Sequence, residues 1–203
     1  MATPFDTSEP GNLLLPVLPL RDLCLFPEAS LAVVVSAPGA LRALEIAKRT
    51  GSRVLALAQR ENAGSSRDLH ETGTVARIAE DAPLPDGGHR VELDGASRAR
   101  AVSVVGHDVL VAEVTLLEEG DAGDDWGSAV EALARYLHAH AELRSFLDQQ
   151  RRSPEPMSWV NLACQHLPIT ATARQRLLES AAPDRCLKIG RGLDALLRKE
   201  QGA

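Results

Sequence analysis

Near the start of the chain, an apolar run is interrupted by prolines and by one charged pair. Residues 15–27 read L-P-V-L-P-L-R-D-L-C-L-F-P. Proline has no backbone donor for a central strand, so Pro16 and Pro19 predict that this extended segment lies at a sheet edge or at a bulge. Residues 1–12 are mostly polar and contain proline and glycine, which is typical of a disordered tail.

Two short apolar runs and a helical pattern follow this segment. Residues 31–35 and 54–58 are almost continuously apolar, which predicts strands buried on both faces. Between them, apolar residues recur with the i, i+3, i+4, i+7 spacing of a helix of about three turns. The glycine at position 51 is a typical C-terminal stop. The positions that carry this helical pattern are Ala40, Ala43, Leu44 and Ala47.

The next part of the chain has the pattern of strands joined by turns. Residues 74–80 and 90–94 flank a P-D-G-G turn at residues 85–88, because aspartate and glycine adopt the backbone angles of tight turns. Residues 98–105 and 108–117 predict two more strands. About six or seven strands with one short helix indicate a mixed or antiparallel β domain, and helical patterns follow it. The predicted fold class is therefore α+β.

The chain changes character at an acidic run, E-E-G-D-A-G-D-D, at residues 118–125. After it the apolar spacing is helical, with proline or threonine at three predicted helix starts: Pro156, Thr170 and Pro183. The predicted organisation is a tail at residues 1–12, a β-rich domain at 13–117, an acidic linker at 118–126 and a helical bundle at 127–203.

Composition limits the function classes. A net charge of −6 and an aromatic content of 3% disfavour a nucleic-acid partner, which usually faces a basic stripe or stacking rings. The three cysteines are widely spaced, which predicts buried thiols rather than a disulfide framework or a zinc site. No apolar stretch has the length of a membrane span, and no secretory signal is visible. We therefore expect a cytoplasmic protein without a membrane partner.

Candidate catalytic and cofactor chemistry is weak. A phosphate-binding loop needs glycine directly before lysine, and the three lysines Lys48, Lys188 and Lys199 follow alanine, leucine and arginine. On a helix, His138 and His140 would point about 200° apart, so they could not chelate one ion. We expect no catalytic residues, no cofactor and no metal site.

Several motifs resemble the N-terminal, substrate-binding domain of Lon proteases. They are the opening run at residues 15–27, R-A-L-E at 42–45, V-L-A-L-A-Q-R at 54–60, E-T-G-T-V-A at 71–76, L-P-D-G at 84–87 and D-G-A-S-R-A-R at 94–100. W-V-N-L-A at 159–163, H-L-P at 166–168, Q-R-L-L-E at 175–179 and R-C-L at 185–187 resemble the helices that follow this domain in Lon. The chain departs from the family at Pro38-Gly39, where a charged pair is common.

The resemblance implies a stand-alone, non-enzymatic polypeptide-binding protein that lacks the ATPase and peptidase domains. Its expected partners are unfolded or specific polypeptides, together with a protease or an ATPase. An extended peptide can add to an unpaired sheet edge, so the residues predicted to bind peptide are Leu23, Leu25, Phe26 and, by resemblance, Arg42. The three apolar residues also suit a core position. A regulatory or scaffold module that binds one folded partner remains the alternative function.

Overall fold

Six strands and six helices make up the part of the chain that the structure describes. The structure is a computed structural model that describes residues 13–61, 64–65, 67–120, 125–151, 153 and 155–201. The prediction of a mixed sheet followed by helices is confirmed, and the helix expected within the β-rich part is α1. The elements are β1 (Leu13–Leu20), β2 (Ser30–Val35), α1 (Pro38–Arg49), β3 (Arg53–Ala58), β4 (Thr72–Pro83), β5 (His89–Val105), β6 (Val111–Leu116), α2 (Asp125–Ala139), α3 (Ala141–Gln150), α4 (Pro156–His166), α5 (Ala171–Glu179) and α6 (Ala182–Gln201).

The sheet closes on itself. Its strand order is β2-β5-β4-β3-β1-β6, and β6 also pairs with β5, so β1, β3, β4, β5 and β6 form a ring. Register shifts in the β4–β5 and β5–β6 ladders allow the long strand β5 to bend around the ring, because a bulge increases local twist. The inside of the ring is a small apolar cluster that includes Leu15, Val17, Leu55 and Leu57.

The proline-containing strand β1 lies between two neighbours, so its prediction as an edge strand is wrong. Residues 13–16 pair with β6 and residues 17–20 pair with β3. Val17 N–H donates to Leu110 O, and Leu20 O accepts from Gln59 N–H, each at 2.8 Å. Backbone polar groups alternate in direction along a strand. The nitrogen of Pro19 therefore points to the same side as that of Val17, where the ladder with β6 no longer extends. Pro16 faces the side on which the β3 ladder has not begun, so neither proline removes a ladder bond.

The true edge is β2, which pairs only with β5 among the described strands. Its side chains alternate between buried Val33 and Val35 and exposed Ala32 and Val34. The prediction that residues 31–35 are buried on both faces is therefore wrong. The same prediction for residues 54–58 agrees better with the structure, since positions 54–57 of β3 are all buried. The difference follows from position, because β3 has neighbours on both sides and β2 has one.

The helices begin where proline and threonine predicted. Pro156 is in the first turn of α4, and the Thr170 hydroxyl accepts a 3.1 Å bond from Ala173 N–H at the start of α5. The structure separates the first predicted helix into α2 and α3, because His140 leaves the helical conformation. Its ring stacks on Tyr136 at 4.1 Å and contacts the Tyr136 carbonyl oxygen at 2.8 Å (Nδ1···O).

The β-rich part and the helices share one apolar core. A single cluster of buried side chains runs from Leu18 and Phe26 on the outer face of the sheet to Leu133 and Cys164 in the helices. The predicted linker at residues 118–126 lies in part outside the described residues, which lack 121–124. The division into two domains at this point therefore stays a prediction, and it has to account for the shared core.

Candidate functional site

An open groove of about 670 Å³ lies between the end of β1, the edge strand β2 and the first turn of α1. The loop between β5 and β6 forms its other wall. We call this space the groove. The residues that line it are 17–21, 23, 33–40, 42, 59, 67, 107, 108 and 110. Five separate segments of the chain therefore meet at one surface depression.

Backbone and apolar side chains both face the groove. Residues 18–20 of β1 lie beyond the end of the β6 ladder, and β2 is paired on one side. Val34 of β2 keeps 66% of its surface exposed. An incompletely paired strand beside an exposed apolar side chain has the chemistry that strand addition requires: backbone groups give direction and side-chain pockets give selectivity.

The first turn of α1 forms one end of the groove. A Cβ atom at Gly39 would overlap the carbonyl oxygen of Asp108, so only glycine permits this close approach of helix and loop. The residue before the helix, Ala37, provides no side-chain cap, and the first turn contains no acidic residue. The positive end of the helix dipole is thus directed toward the groove, and no carboxylate from the helix's own first turn offsets it.

The structure brings together two of the four predicted peptide-binding residues. Leu23 is 37% exposed and Arg42 is half exposed, and both line the groove. Leu25 and Phe26 are 1% and 0% exposed, so the prediction that they line a groove is corrected: they belong to the core. The alternative position for these residues, in the core, is the one that Leu25 and Phe26 occupy.

Residues 24–26 are held in the core by side chains that are distant in sequence. Gln165 of α4 accepts from Phe26 N–H at 3.0 Å and donates to the Cys24 carbonyl oxygen at 2.9 Å. The Thr74 hydroxyl donates to the Leu25 carbonyl oxygen at 2.5 Å. Three backbone polar groups of this buried segment thereby have hydrogen-bond partners. Nothing near residue 26 in the sequence indicates a partner that lies 139 positions away.

A second polar cluster, which we call the seam, joins the sheet to the helices. It consists of Arg98 of β5, Glu119 and Arg185 of α6. Arg98 Nε donates to Glu119 Oε1 at 2.8 Å, and Arg185 Nη2 donates to Glu119 Oε2 at 2.9 Å. One carboxylate thus bridges two arginines whose side chains are 3% and 0% exposed.

The remaining donors of the seam bind the backbone and one amide. Arg98 reaches the carbonyl oxygens of Leu178 and Glu118, and Arg185 reaches those of Leu177 and Ser180. The Asn161 side chain also accepts from Arg185. Burial lowers the pKa of Arg185, while the Glu119 carboxylate opposes this shift. Sequence reasoning missed this cluster, because the acidic run that contains Glu119 resembles a solvated linker.

A smaller cavity of about 360 Å³ lies among α2, α3 and α4. Both tryptophans of the chain, Trp126 and Trp159, line it. The guanidinium of Arg151 lies 5.2 Å from the centre of the Trp159 ring, which is a cation–π distance. This cavity was not predicted, because the two tryptophans are separated by 32 intervening residues and fall in different helices.

The described residues contain no candidate metal cluster, and two of the cysteines are unsuited to act as nucleophiles. Within them, no group of three or more histidine, cysteine or carboxylate side chains could hold a metal ion. The cysteines are buried as predicted, and burial raises the pKa of Cys24 and of Cys164 to about 12. Neither of these thiols is a thiolate nucleophile at neutral pH. No helix in the described ranges is both long and apolar enough to cross a membrane.

Comparison with known proteins places this fold in a class of substrate-binding domains. Residues 14–191 match the family described as the ATP-dependent protease La (LON) substrate-binding domain. The chain therefore belongs to the LON substrate-binding domain family, and the resemblance recognised from its motifs is confirmed. The match covers this domain and not the ATPase or protease domains.

Curated relatives are much longer than this chain. A Lon protease of Xanthomonas oryzae is 33% identical over 87% of the chain and 22% of its own length. Lon protease 1 of Thermus thermophilus is 31% identical over 92% of the chain and 25% of its own length. The chain thus spans about a quarter or less of these relatives, so their whole activity is not transferred with the match.

Solved structures confirm the fold. The N-terminal domain of a Mycobacterium avium complex Lon protease superposes with a TM-score of 0.74 at 18% identity, covering 90% of this chain and 98% of that one. A Lon N-terminal domain protein from Xanthomonas campestris gives a TM-score of 0.63 at 22% identity, covering 87% and 95%. At these identities the likeness concerns the fold alone.

Proposed function

We propose that this protein binds extended stretches of polypeptide in the groove and captures or presents them for proteolysis or quality control. Membership of the LON substrate-binding domain family supports polypeptide recognition. The observation that carries the location is the meeting of two incompletely paired strands, β1 and β2, at one open groove. Strand addition there would supply backbone hydrogen bonds, and Leu23 and Val34 would supply apolar contact.

The expected affinity is modest. A shallow groove that covers a few apolar side chains supports binding at the micromolar level, or about −8 kcal/mol. Such affinity suits a protein that must release its clients to another component. A protease or an ATPase that receives these clients is the partner that we expect.

A pair of valine substitutions tests the location. Val34→Lys places a charge on the groove edge and should weaken the binding of an unfolded client by about tenfold, since a buried valine contributes about 1.5 kcal/mol or more. Val102→Lys is the matched control, because Val102 is also an exposed strand valine, at 59%, and does not line the groove. Equal affinity of both variants and the unmodified protein would place the binding surface elsewhere.

A pull-down from lysate distinguishes the alternative function. Capture of many misfolded proteins supports polypeptide capture, whereas one stoichiometric folded partner supports a regulatory or scaffold module.

We also propose that the chain has no ATPase or peptidase activity of its own. Activity that copurifies with the chain and is lost when one of its serines is replaced would contradict this proposal.

A further inference from the structure

The groove is basic within an acidic protein. Its lining includes three arginines, Arg21, Arg42 and Arg67, and one carboxylate, Asp108. The chain as a whole carries a formal charge of −6. A basic depression on an acidic surface attracts carboxylates and repels other cations, so its charge selects among ligands that have the same apolar content.

Two of these arginines converge on one short loop. Arg67 Nη2 donates to the His107 carbonyl oxygen at 3.2 Å and contacts the His107 ring nitrogen Nδ1 at 3.1 Å. Arg42 Nη2 lies 3.7 Å from Asp108 Oδ2, on the next residue. The two guanidinium groups therefore contact adjacent residues of the loop between β5 and β6.

The contact between Arg42 and Asp108 is loose. Charge-assisted hydrogen bonds between guanidinium and carboxylate are about 2.7–2.9 Å long, so 3.7 Å is an ion pair without a direct hydrogen bond. The side chain of Asp108 is 84% exposed and that of Arg42 is 50% exposed. A carboxylate on a ligand can therefore approach Arg42 more closely than Asp108 does, and the planar guanidinium favours a two-point contact with it.

We propose that the groove selects extended segments in which apolar residues are accompanied by an aspartate or glutamate side chain that binds at Arg42 and Arg67. This inference rests on the proposed function and names its preferred substrate. Asp108 acts against the preference, because among the described residues that line the groove it is the one carboxylate, and it competes with the ligand for Arg42.

Three matched peptides test the proposal. They share one apolar extended core and an amidated C-terminus, and they carry Glu, Gln or Lys at one flanking position. Binding is followed by fluorescence anisotropy in about 0.05 M and about 0.5 M salt. At low salt the Glu peptide should bind about threefold more tightly than the Gln peptide, which in turn binds more tightly than the Lys peptide. The difference should shrink at high salt.

Single substitutions in the protein assign the effect to the groove. Arg42→Gln should abolish the preference for Glu over Gln. Arg49→Gln is its control, since Arg49 is exposed on the same helix, changes the net charge equally and does not line the groove. Asp108→Asn should strengthen binding of the Glu peptide by about threefold and leave the Gln peptide unchanged. Circular dichroism confirms that each variant is folded.

The outcomes separate this proposal from the function on which it rests. Equal binding of the Glu, Gln and Lys peptides overturns the carboxylate preference and leaves polypeptide capture intact. Failure of all three peptides to bind contradicts both. A fourth peptide has Gln at the flank and a free C-terminus. If it alone shows the enhanced binding, the selected group is a chain terminus, and the proposal of an acidic side chain is wrong.

Discussion

The seam and the groove both depend on arginine, but the two regions hold their arginines in opposite ways. In the seam, the Arg98 and Arg185 side chains are almost fully buried and bind Glu119, backbone carbonyls and an amide. In the groove, Arg42 is half exposed and meets its carboxylate at 3.7 Å. A buried guanidinium whose donors are used is part of the fold, whereas an exposed one with a distant partner remains available to a ligand.

Two apolar residues of one short segment, Phe26 and Leu23, also differ in burial. Phe26 and Leu23 are three positions apart, yet one is 0% and the other 37% exposed. Phe26 packs in the core near the seam, with the Arg185 guanidinium 5.9 Å from its ring centre. Leu23 lines the groove. The free energy of unfolding should therefore depend mainly on Phe26, and the binding of a client should depend mainly on Leu23.

Phe26→Ala should have the largest effect on stability. Loss of a fully buried phenylalanine ring leaves a cavity and costs about 3–5 kcal/mol of the free energy of unfolding. Leu23→Ala should cost less than about 1 kcal/mol, because much of that side chain is already in water. Chemical denaturation measures both variants. If Phe26→Ala were as stable as Leu23→Ala, the core position of Phe26 would be refuted.

Glu119→Gln should have the next largest effect. The substitution leaves two buried guanidinium groups without their shared carboxylate, which should cost about 2–4 kcal/mol; the exposure of Glu119 keeps this below the usual loss for a fully buried pair. The control is Glu118→Gln at the adjacent position, where an exposed glutamate contributes only its backbone carbonyl to Arg98. Equal losses in the two variants would show that the seam is not a stabilising unit.

Local patterns predicted much of this fold. The spacing of Ala43, Leu44 and Ala47 predicted α1, and the P-D-G-G turn was predicted from residues that adopt it: Gly87 has a φ of +83° and Gly88 N–H donates to the Asp86 side chain at 3.0 Å. A second short helix, α3, was missed although its first turn contains Glu142. At the break, the His140 ring stacks on Tyr136, a contact that spacing alone does not indicate.

The candidate site was predicted less well than the fold, for a physical reason. Whether Leu23, Leu25 or Phe26 is exposed depends on Gln165, which holds the backbone of this segment from a distant helix. The prolines predicted a sheet edge or a bulge for β1, and they could not show that its two halves have different neighbours. Such long-range pairings are decided by tertiary packing, which no short window of sequence contains.

Limited proteolysis tests the predicted boundary between the β-rich part and the helices. The acidic run at residues 118–125 is the expected site of the first cut, which would leave a β-rich fragment that ends near residue 117. Because the seam and the shared core join the two parts, we expect the fragments to elute together in gel filtration after the cut. Cuts that fall first within residues 54–114 would contradict the predicted division.

The smallest expected effect concerns an ion pair at the far end of α1. Burial alone would raise the pKa of Asp81, but hydrogen bonds from Lys48 and His89, with their charges, hold this pKa below its usual value. A lowered carboxyl pKa contributes stability that is present above the unfolded value, near pH 4, and is lost as the pH falls through the folded value.

Asp81→Asn should therefore destabilise the fold by about 1 kcal/mol at neutral pH, since Lys48 is partly in water. The difference in free energy of unfolding between the variant and the unmodified protein should disappear as the pH falls below about 4. Asp148→Asn, at an exposed carboxylate 3.8 Å from Arg144, is the control and should have almost no effect. A gap of constant size across this pH range would contradict the stated origin of the shift.

NMR shift mapping with an unfolded client tests polypeptide binding in the groove most directly. If the groove is the binding surface, the largest backbone shift changes should fall on the end of β1, on β2, on the first turn of α1 and on the loop around Asp108. The seam residues Arg98 and Arg185 should be little affected. Shift changes confined to the helices after Trp126, including those around the tryptophan-lined cavity, would contradict the account and place polypeptide binding in the helical half.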